Sequence, residues 1–157
     1  MITEFSGPVW RILFRTQSDD PFSPARAPEG RFHHSGQFAI YASLSAEGAG
    51  IAIRRYVSQN DPPRVIQQLQ VSKARVLDLR GQASASIVWQ DLRATGVRSP
   101  TWRYSDKARE SDADGLLYSS RSRPDLSHMV LFNAEHPALQ TAGAPCDWFP
   151  ERLPHLS

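Results

Sequence analysis

One cysteine, Cys146, stands in a chain of 157 residues. A single thiol forms no internal disulfide and no cysteine-based metal cluster, and such usage fits the reducing cytoplasm. No apolar run is long enough to span a bilayer, and no charged-then-apolar leader opens the sequence. The expectation is a soluble, cytoplasmic protein with no membrane partner. GxGxxG and the Walker loop are both absent, which removes the two best-known phosphate-cradling loops. GxSxG is absent too, so Ser119 and Ser120 lack the elbow of a hydrolase nucleophile. HExxH is missing, and the neighbours His33 and His34 do not have a metal-ligand spacing, so no metal is expected. Net charge is only +2. Sixteen of the eighteen cations are arginine, scattered along the chain with no basic block, which argues against direct nucleic-acid binding. Arginine suits planar anions, although the codon bias of a GC-rich genome yields the same excess.

What the chain does have is enough aromatic and aliphatic material for one domain over residues 1–157, with twelve prolines that point to many turns. Val9 to Arg15 reads as a strand. Gln17 to Gly30 is a proline-containing loop of the length that often serves as a functional lid. Gln37 to Ser43 is a second strand. Ser45 is placed to cap a helix from Ala46 to about Ser58, with Glu47 in its first turn. Arg64 to Val71 and Arg75 to Leu79 read as paired strands across a Ser72–Lys73 turn. Helices follow over Ser86 to Thr95 and from Pro100 through Ala108. Strands return at Gly115 to Ser120 and His128 to Asn133. The tail is expected to be mostly irregular, with a short strand near Asp147–Phe149. Strands first, helices in the middle and strands last make an α+β fold.

The run Gly30-Arg31-Phe32-His33-His34-Ser35-Gly36, followed by Ile40-Tyr41, carries the most chemistry. Arginine offers a fork of donors for phosphate and ribose oxygens. The glycines permit close backbone approach and positive φ. The tyrosine offers a face for a flat ring. Together these features describe a nucleotide site; a surface turn with a solvated arginine is the competing reading. Ser120 with Arg121, and the helix face around Ala52 and Tyr56, are further polar candidates at element ends. His128 begins an apolar strand and reads as a buried structural histidine rather than a base. Asp112-Ala113-Asp114-Gly115 is too short for an EF-hand loop and reads as a polar turn.

In combination these segments resemble the RES domain family, the toxin half of Xre–RES toxin–antitoxin pairs. Trp10-Arg11-Ile12 matches the family's first strand, and Gly30 to Gly36 with Tyr41 its arginine motif. Leu116-Leu117-Tyr118-Ser119-Ser120-Arg121 matches the serine motif, and Leu131-Phe132-Asn133 with His136-Pro137 the late motif. The resemblance implies a split, curved β-sheet core with surrounding helices, like ADP-ribosyltransferases of the diphtheria-toxin type. It implies NAD as substrate, either hydrolysed or used to move ADP-ribose onto a protein, and an Xre-type antitoxin as partner. By position, Arg31 would hold a phosphate or ribose of NAD, Tyr41 would line or stack on the nicotinamide side, and Ser120 would bond near the ribose. Arg11 and Arg121 would be additional polar contacts.

The chain departs from the family at one place. The motif glutamate falls on Ala52, and the histidine often found four residues later falls on Tyr56. On a continuous helix both would lie on one face. Alanine cannot stabilise the charge that develops as nicotinamide leaves. Glu47 lies about 140° away around a helix at 100° per residue and is a poor substitute. Three readings follow: other groups, Tyr56 among them, take over; the protein binds NAD without turnover; or position 52 carries an inactivating substitution. A ribonuclease toxin using His, Arg and Tyr is a third class of function, disfavoured by the absence of a basic face.

Overall fold

The computed structural model describes residues 2–135 and 138–150. The first strand, β1, runs Ile2–Phe14, starting well before the expected Val9. Gly7 and Pro8 are strand breakers, but the chain passes them with a register shift between Phe5 and Gly7. After a long loop comes β2, Ile40–Ser43, and then α1, Ala46–Ile53. The Gly48 N–H donates to Ser45 Oγ at 2.9 Å, so Ser45 is the helix cap expected from sequence.

α1 ends earlier than the spacing suggests. Arg54–Tyr56 is a 3₁₀ turn, and Val57 is already extended. The Asp61 side chain explains the stop: Asp61 Oδ2 accepts the Ser58 N–H at 2.8 Å, giving the backbone a local alternative to the helix. Ala52 and Tyr56 therefore do not share the face of one continuous α-helix.

The next strand, β3, is Arg64–Asp78, 15 residues without a break. This corrects the expected hairpin across Ser72–Lys73. Lys73 has φ 55° and its N–H donates to Ser6 Oγ at 2.8 Å, so the turn signal is a bulge inside one strand. Both parts of β3 pair with β1, from Arg64 opposite Phe14 to Leu77 opposite Ile2. Two helices follow, α2 at Trp89–Ala94 and α3 at Trp102–Glu110. β4 (Gly115–Ser119) and β5 (Ser127–Leu131) form an antiparallel pair. β6 (Ala138–Thr141), absent from the sequence reading, and β7 (Cys146–Trp148) complete the set. The His136–Pro137 part of the late motif lies outside the described residues.

β3 is the spine of the sheet. One edge carries β1; the other carries β7, β6 and β4 in succession. The path β1-β2-β5-β4-β3 returns to β1, so five strands curl round on themselves. β3 and β4 are parallel and every other pairing is antiparallel. This is the α+β, curved-sheet architecture expected from sequence. β4 and β5 are buried on both faces. Leu117, Met129 and Leu131 pack inward with Val9, Ile40 and Leu69. The alternate residues Leu116, Tyr118 and Val130 pack with Phe32 and with Ala108 of α3. Period-two alternation thus sends one set of side chains into the curl and the other toward the Arg31 loop.

Candidate functional site

Arg31 sits on a loop held by α3 and β2. The Trp102 indole N–H donates to the Gly30 carbonyl at 2.7 Å, and the Thr101 hydroxyl donates to the Arg31 carbonyl. The Arg109 guanidinium donates to the carbonyls of Phe32 and Phe38, both at 3.0 Å. Phe32 is fully buried, edge-on to Tyr118 with ring centroids 4.7 Å apart. Gly30 must be a glycine: a Cβ there would lie 2.5 Å from the His33 ring and 2.9 Å from the Tyr41 hydroxyl. Gly36 has φ +73°, the left-handed region that favours glycine.

A chain of hydrogen bonds runs through this loop. His33 Nε2 lies 2.8 Å from the Ala27 carbonyl. A carbonyl only accepts, so Nε2 carries the hydrogen and Nδ1 of the neutral ring accepts. Tyr41 then donates its hydroxyl to His33 Nδ1 at 2.7 Å and accepts the Phe32 N–H at 2.9 Å. Burial lowers the His33 pKa and raises that of Tyr41, which keeps the pair neutral. His34 turns the other way, to Asp106 at 2.8 Å, so the two histidines do not converge.

The Arg31 side chain reaches across to the segment before α2. Nη1 donates to the carbonyls of Ile87 and Ala85, the second at 3.4 Å. Among the described residues these bonds use one nitrogen, and Nε and Nη2 have no hydrogen-bond partner. Burial lowers the Arg31 pKa, but a guanidinium stays charged at neutral pH.

Beyond Arg31 opens a cavity of about 500 Å³. Arg31, Ala52, Ser120 and Arg121 all line it, together with Tyr118, His128 and Asp91. Ser120 is the first residue after β4 and is 4% exposed. Its hydroxyl accepts the Arg123 N–H at 3.3 Å. Arg121 is exposed beside it. Ala52 is also exposed, at the cavity wall rather than in the core. Glu47 is turned elsewhere, to Arg123 at 2.7 Å.

Three sequence candidates lie differently from what their spacing suggested. Tyr41 is not among the residues lining this cavity; its hydroxyl bonds to Phe32 and His33 of the loop behind Arg31. Arg11 and Tyr56 line a separate, smaller cavity of about 240 Å³ with Gln17, Pro24 and Arg26. The Gln17–Gly30 loop therefore borders the smaller cavity. Arg11 is 8% exposed, donates to the Pro21 carbonyl at 2.8 Å, and has its pKa lowered to about 10 by burial. Tyr56, 55% exposed, accepts from Gln90 Nε2 at 2.5 Å.

His128 is buried as expected, yet it also reaches the cavity. Its Nδ1 is 2.7 Å from Ser43 Oγ, the one bond described for that buried hydroxyl. The Ser43 proton must point at Nδ1 to be satisfied, so the imidazole hydrogen sits on Nε2. Burial, helped by Arg31, lowers the His128 pKa to about 4, which makes the ring neutral at pH 7. The cavity wall thus offers donors from Arg31, His128 and Ser120 with several arginines round them. Such a wall suits an anionic ligand with several oxygens, of which a phosphorylated sugar is one. Sequence missed Asp91 and His128 as lining residues and the α3 clamps as supports, because only the fold brings them to the cavity or to the Arg31 loop. Among the described residues no cluster of three or more His, Cys, Asp or Glu could hold a metal, and no helix is long and apolar enough to cross a membrane.

Comparison with known proteins agrees with this architecture. A family model described as RES domain matches residues 8–154. A chain in the crystal structure of the M. tuberculosis MbcT–MbcA toxin–antitoxin complex is similar in fold, with a TM-score of 0.58 and 15% identity. The alignment covers 95% of this chain and 87% of that one. A search of curated proteins gives no significant match.

Proposed function

The chain belongs to the RES domain family, and from that premise we propose that it is the toxin of a toxin–antitoxin pair and consumes NAD. The bond broken is the one between nicotinamide and ribose; ADP-ribose passes to a protein side chain or to water. The observation that carries this reading is the cavity lined by Arg31 and Ser120, where the guanidinium is fixed through Nη1 and, among the described residues, Nε and Nη2 have no partner. In this reading Arg31 holds a phosphate or ribose oxygen, and Ser120 and His128 add donors. Arg54, Arg55 and Arg121, also on the wall, balance the diphosphate charge. Tyr41 acts through the Arg31 loop. The partner is a separate antitoxin, a reading that the toxin–antitoxin complex of a similar fold supports; we infer that it is of the Xre type and covers the cavity mouth.

A second reading follows from Ala52. The wall residue at the family's glutamate position carries no carboxylate, so a protein that binds NAD with little turnover is the alternative. Two measurements decide. Calorimetry should show NAD binding that weakens in both Arg31→Ala and Arg31→Lys, because a point charge does not replace the planar fork; equal affinity in wild type and Arg31→Ala would sink the assignment. Free nicotinamide from a mixture of protein, NAD and bacterial lysate then separates an enzyme from a binding module. Degradation of bulk RNA in the same mixture would instead favour a ribonuclease.

A further inference from the structure

Asp91 is the single carboxylate among the residues lining the Arg31 cavity, whose other charged groups are Arg31, Arg54, Arg55 and Arg121. It comes from the first turn of α2, a different element from the helix that carries Ala52. Its neighbour fixes where it stands. Gln90 Nε2 donates to Tyr56 Oη at 2.5 Å, and Arg55 Nη1 donates to Gln90 Oε1 at 3.4 Å. These two bonds tie the start of α2 to the 3₁₀ turn that follows α1, and Asp91 and Ala52 line the same cavity. Among the described residues Asp91 makes no ion pair, as is true of Asp19, Asp20, Asp112 and Asp114, but of these Asp91 alone lines the Arg31 cavity.

We propose that Asp91 supplies from α2 the negative charge that position 52 lacks, and faces the ribose of the bound dinucleotide. The inference rests on the NAD-consuming reading above. The chemistry needs a carboxylate on this wall. As the bond from ribose C1′ to the nicotinamide nitrogen breaks, both electrons leave with the nitrogen, whose positive charge disappears. C1′ and the ring oxygen become cationic. Nicotinamide departs neutral and needs no proton. An incoming oxygen, from water or a protein side chain, then bonds to C1′ and releases one proton, which the carboxylate accepts and passes to solvent. A wall of donors and guanidinium groups opposes that developing cation; one carboxylate relieves it. Asp91 is exposed before ligand binds, which leaves its charge uncommitted.

The test is nicotinamide release from NAD in desalted bacterial lysate, where water and protein acceptors are both present. The forms compared are wild type, Asp91→Asn, Asp91→Glu and the Ala52→Glu/Asp91→Asn double variant. Asp91→Asn keeps the shape and removes the charge. The expected result is a fall in kcat of about 10²–10³-fold with KM for NAD near wild type, activity retained in part by Asp91→Glu, and recovery in the double variant. Recovery by a carboxylate on another element is an outcome that a merely structural Asp91 does not give. Unchanged kcat in Asp91→Asn, or a loss that appears only in KM, overturns the assignment and leaves the NAD reading standing. A wild type that releases no nicotinamide overturns both. Melting curves for each form check folding, and Asp91→Asn, an exposed change, is expected to melt like wild type.

Discussion

The Tyr41 hydroxyl accepts the backbone N–H of Phe32 at 2.9 Å, immediately after Arg31. With its bond to His33 Nδ1, it ties strand β2 to the loop that aims the guanidinium. Both bonds described for the phenol thus go to that loop.

Tyr41→Phe should therefore act as a loosening of that loop. The Phe32 N–H loses its partner, and an unsatisfied buried donor costs about 1–3 kcal/mol. We expect a lower melting temperature and weaker NAD binding together. Arg31→Ala should abolish most binding while lowering the melting temperature no more than Tyr41→Phe does, because its side chain also gives up bonds, to the carbonyls of Ile87 and Ala85. A Tyr41→Phe protein that melts like wild type while binding NAD poorly would instead place the phenol on the ligand.

His128 sets a pH dependence. Its folded-state pKa is pushed down to about 4 by burial, below the roughly 6.5 of an unfolded histidine. The unfolded chain binds the proton first as pH falls, so this group's contribution is full above about pH 6.5 and is lost between 6.5 and 4. A shift of that size corresponds to about 3 kcal/mol. Denaturant melts at pH 7 and pH 4.5 should show a larger drop in wild type than in His128→Gln, which cannot take up the proton. Equal drops would place the acid sensitivity elsewhere. Burial lowers the His33 pKa as well, so part of the drop is expected to remain in the variant.

The elements that sequence exposes well are those decided locally. Ser45 caps α1 because its hydroxyl is one turn from the Gly48 N–H, and Gly30 and Gly36 bracket Arg31 for reasons of space and φ. The misreadings have a common physical cause. Ser72–Lys73 carries a turn signal, but β1 supplies the matching irregularity at Phe5–Gly7, a partner 67 residues away in the Lys73–Ser6 bond. α1 reads too long because Asp61, outside the helix, intercepts the Ser58 N–H. Arg11 and Arg31 both look like ligand contacts, yet the curl of the sheet sends them into different cavities. Arg31, Ser120 and Arg121 were legible as a group because the order of motifs along the chain matches the family. Asp91 was not, because nothing in its local sequence distinguishes it from a solvated helix residue.

Ala52→Glu probes the same wall from the other side. A core alanine would resist a glutamate, since burying a charge without a partner destabilises the fold. Ala52 is exposed and lines the cavity, so the variant should melt close to wild type, within the roughly 0.5 kcal/mol usual for surface changes. The new carboxylate would project from α1 into a cavity edged by Arg54 and Arg55, and nicotinamide release should rise. One preorganised electrostatic group contributes about 10²–10³ in rate, and the rise in the wild-type background should fall short of that to the extent that Asp91 already supplies the charge. Tyr56 lines the smaller cavity, where its hydroxyl is held by Gln90. Nicotinamide assays on the wild type and Ala52→Glu, each with its melting curve, give the answer. A well-folded Ala52→Glu protein with no gain would show that a carboxylate at position 52 adds nothing while Asp91 is present, and a further lack of recovery in Ala52→Glu/Asp91→Asn would show that a carboxylate on α1 does not serve the breaking bond in this chain.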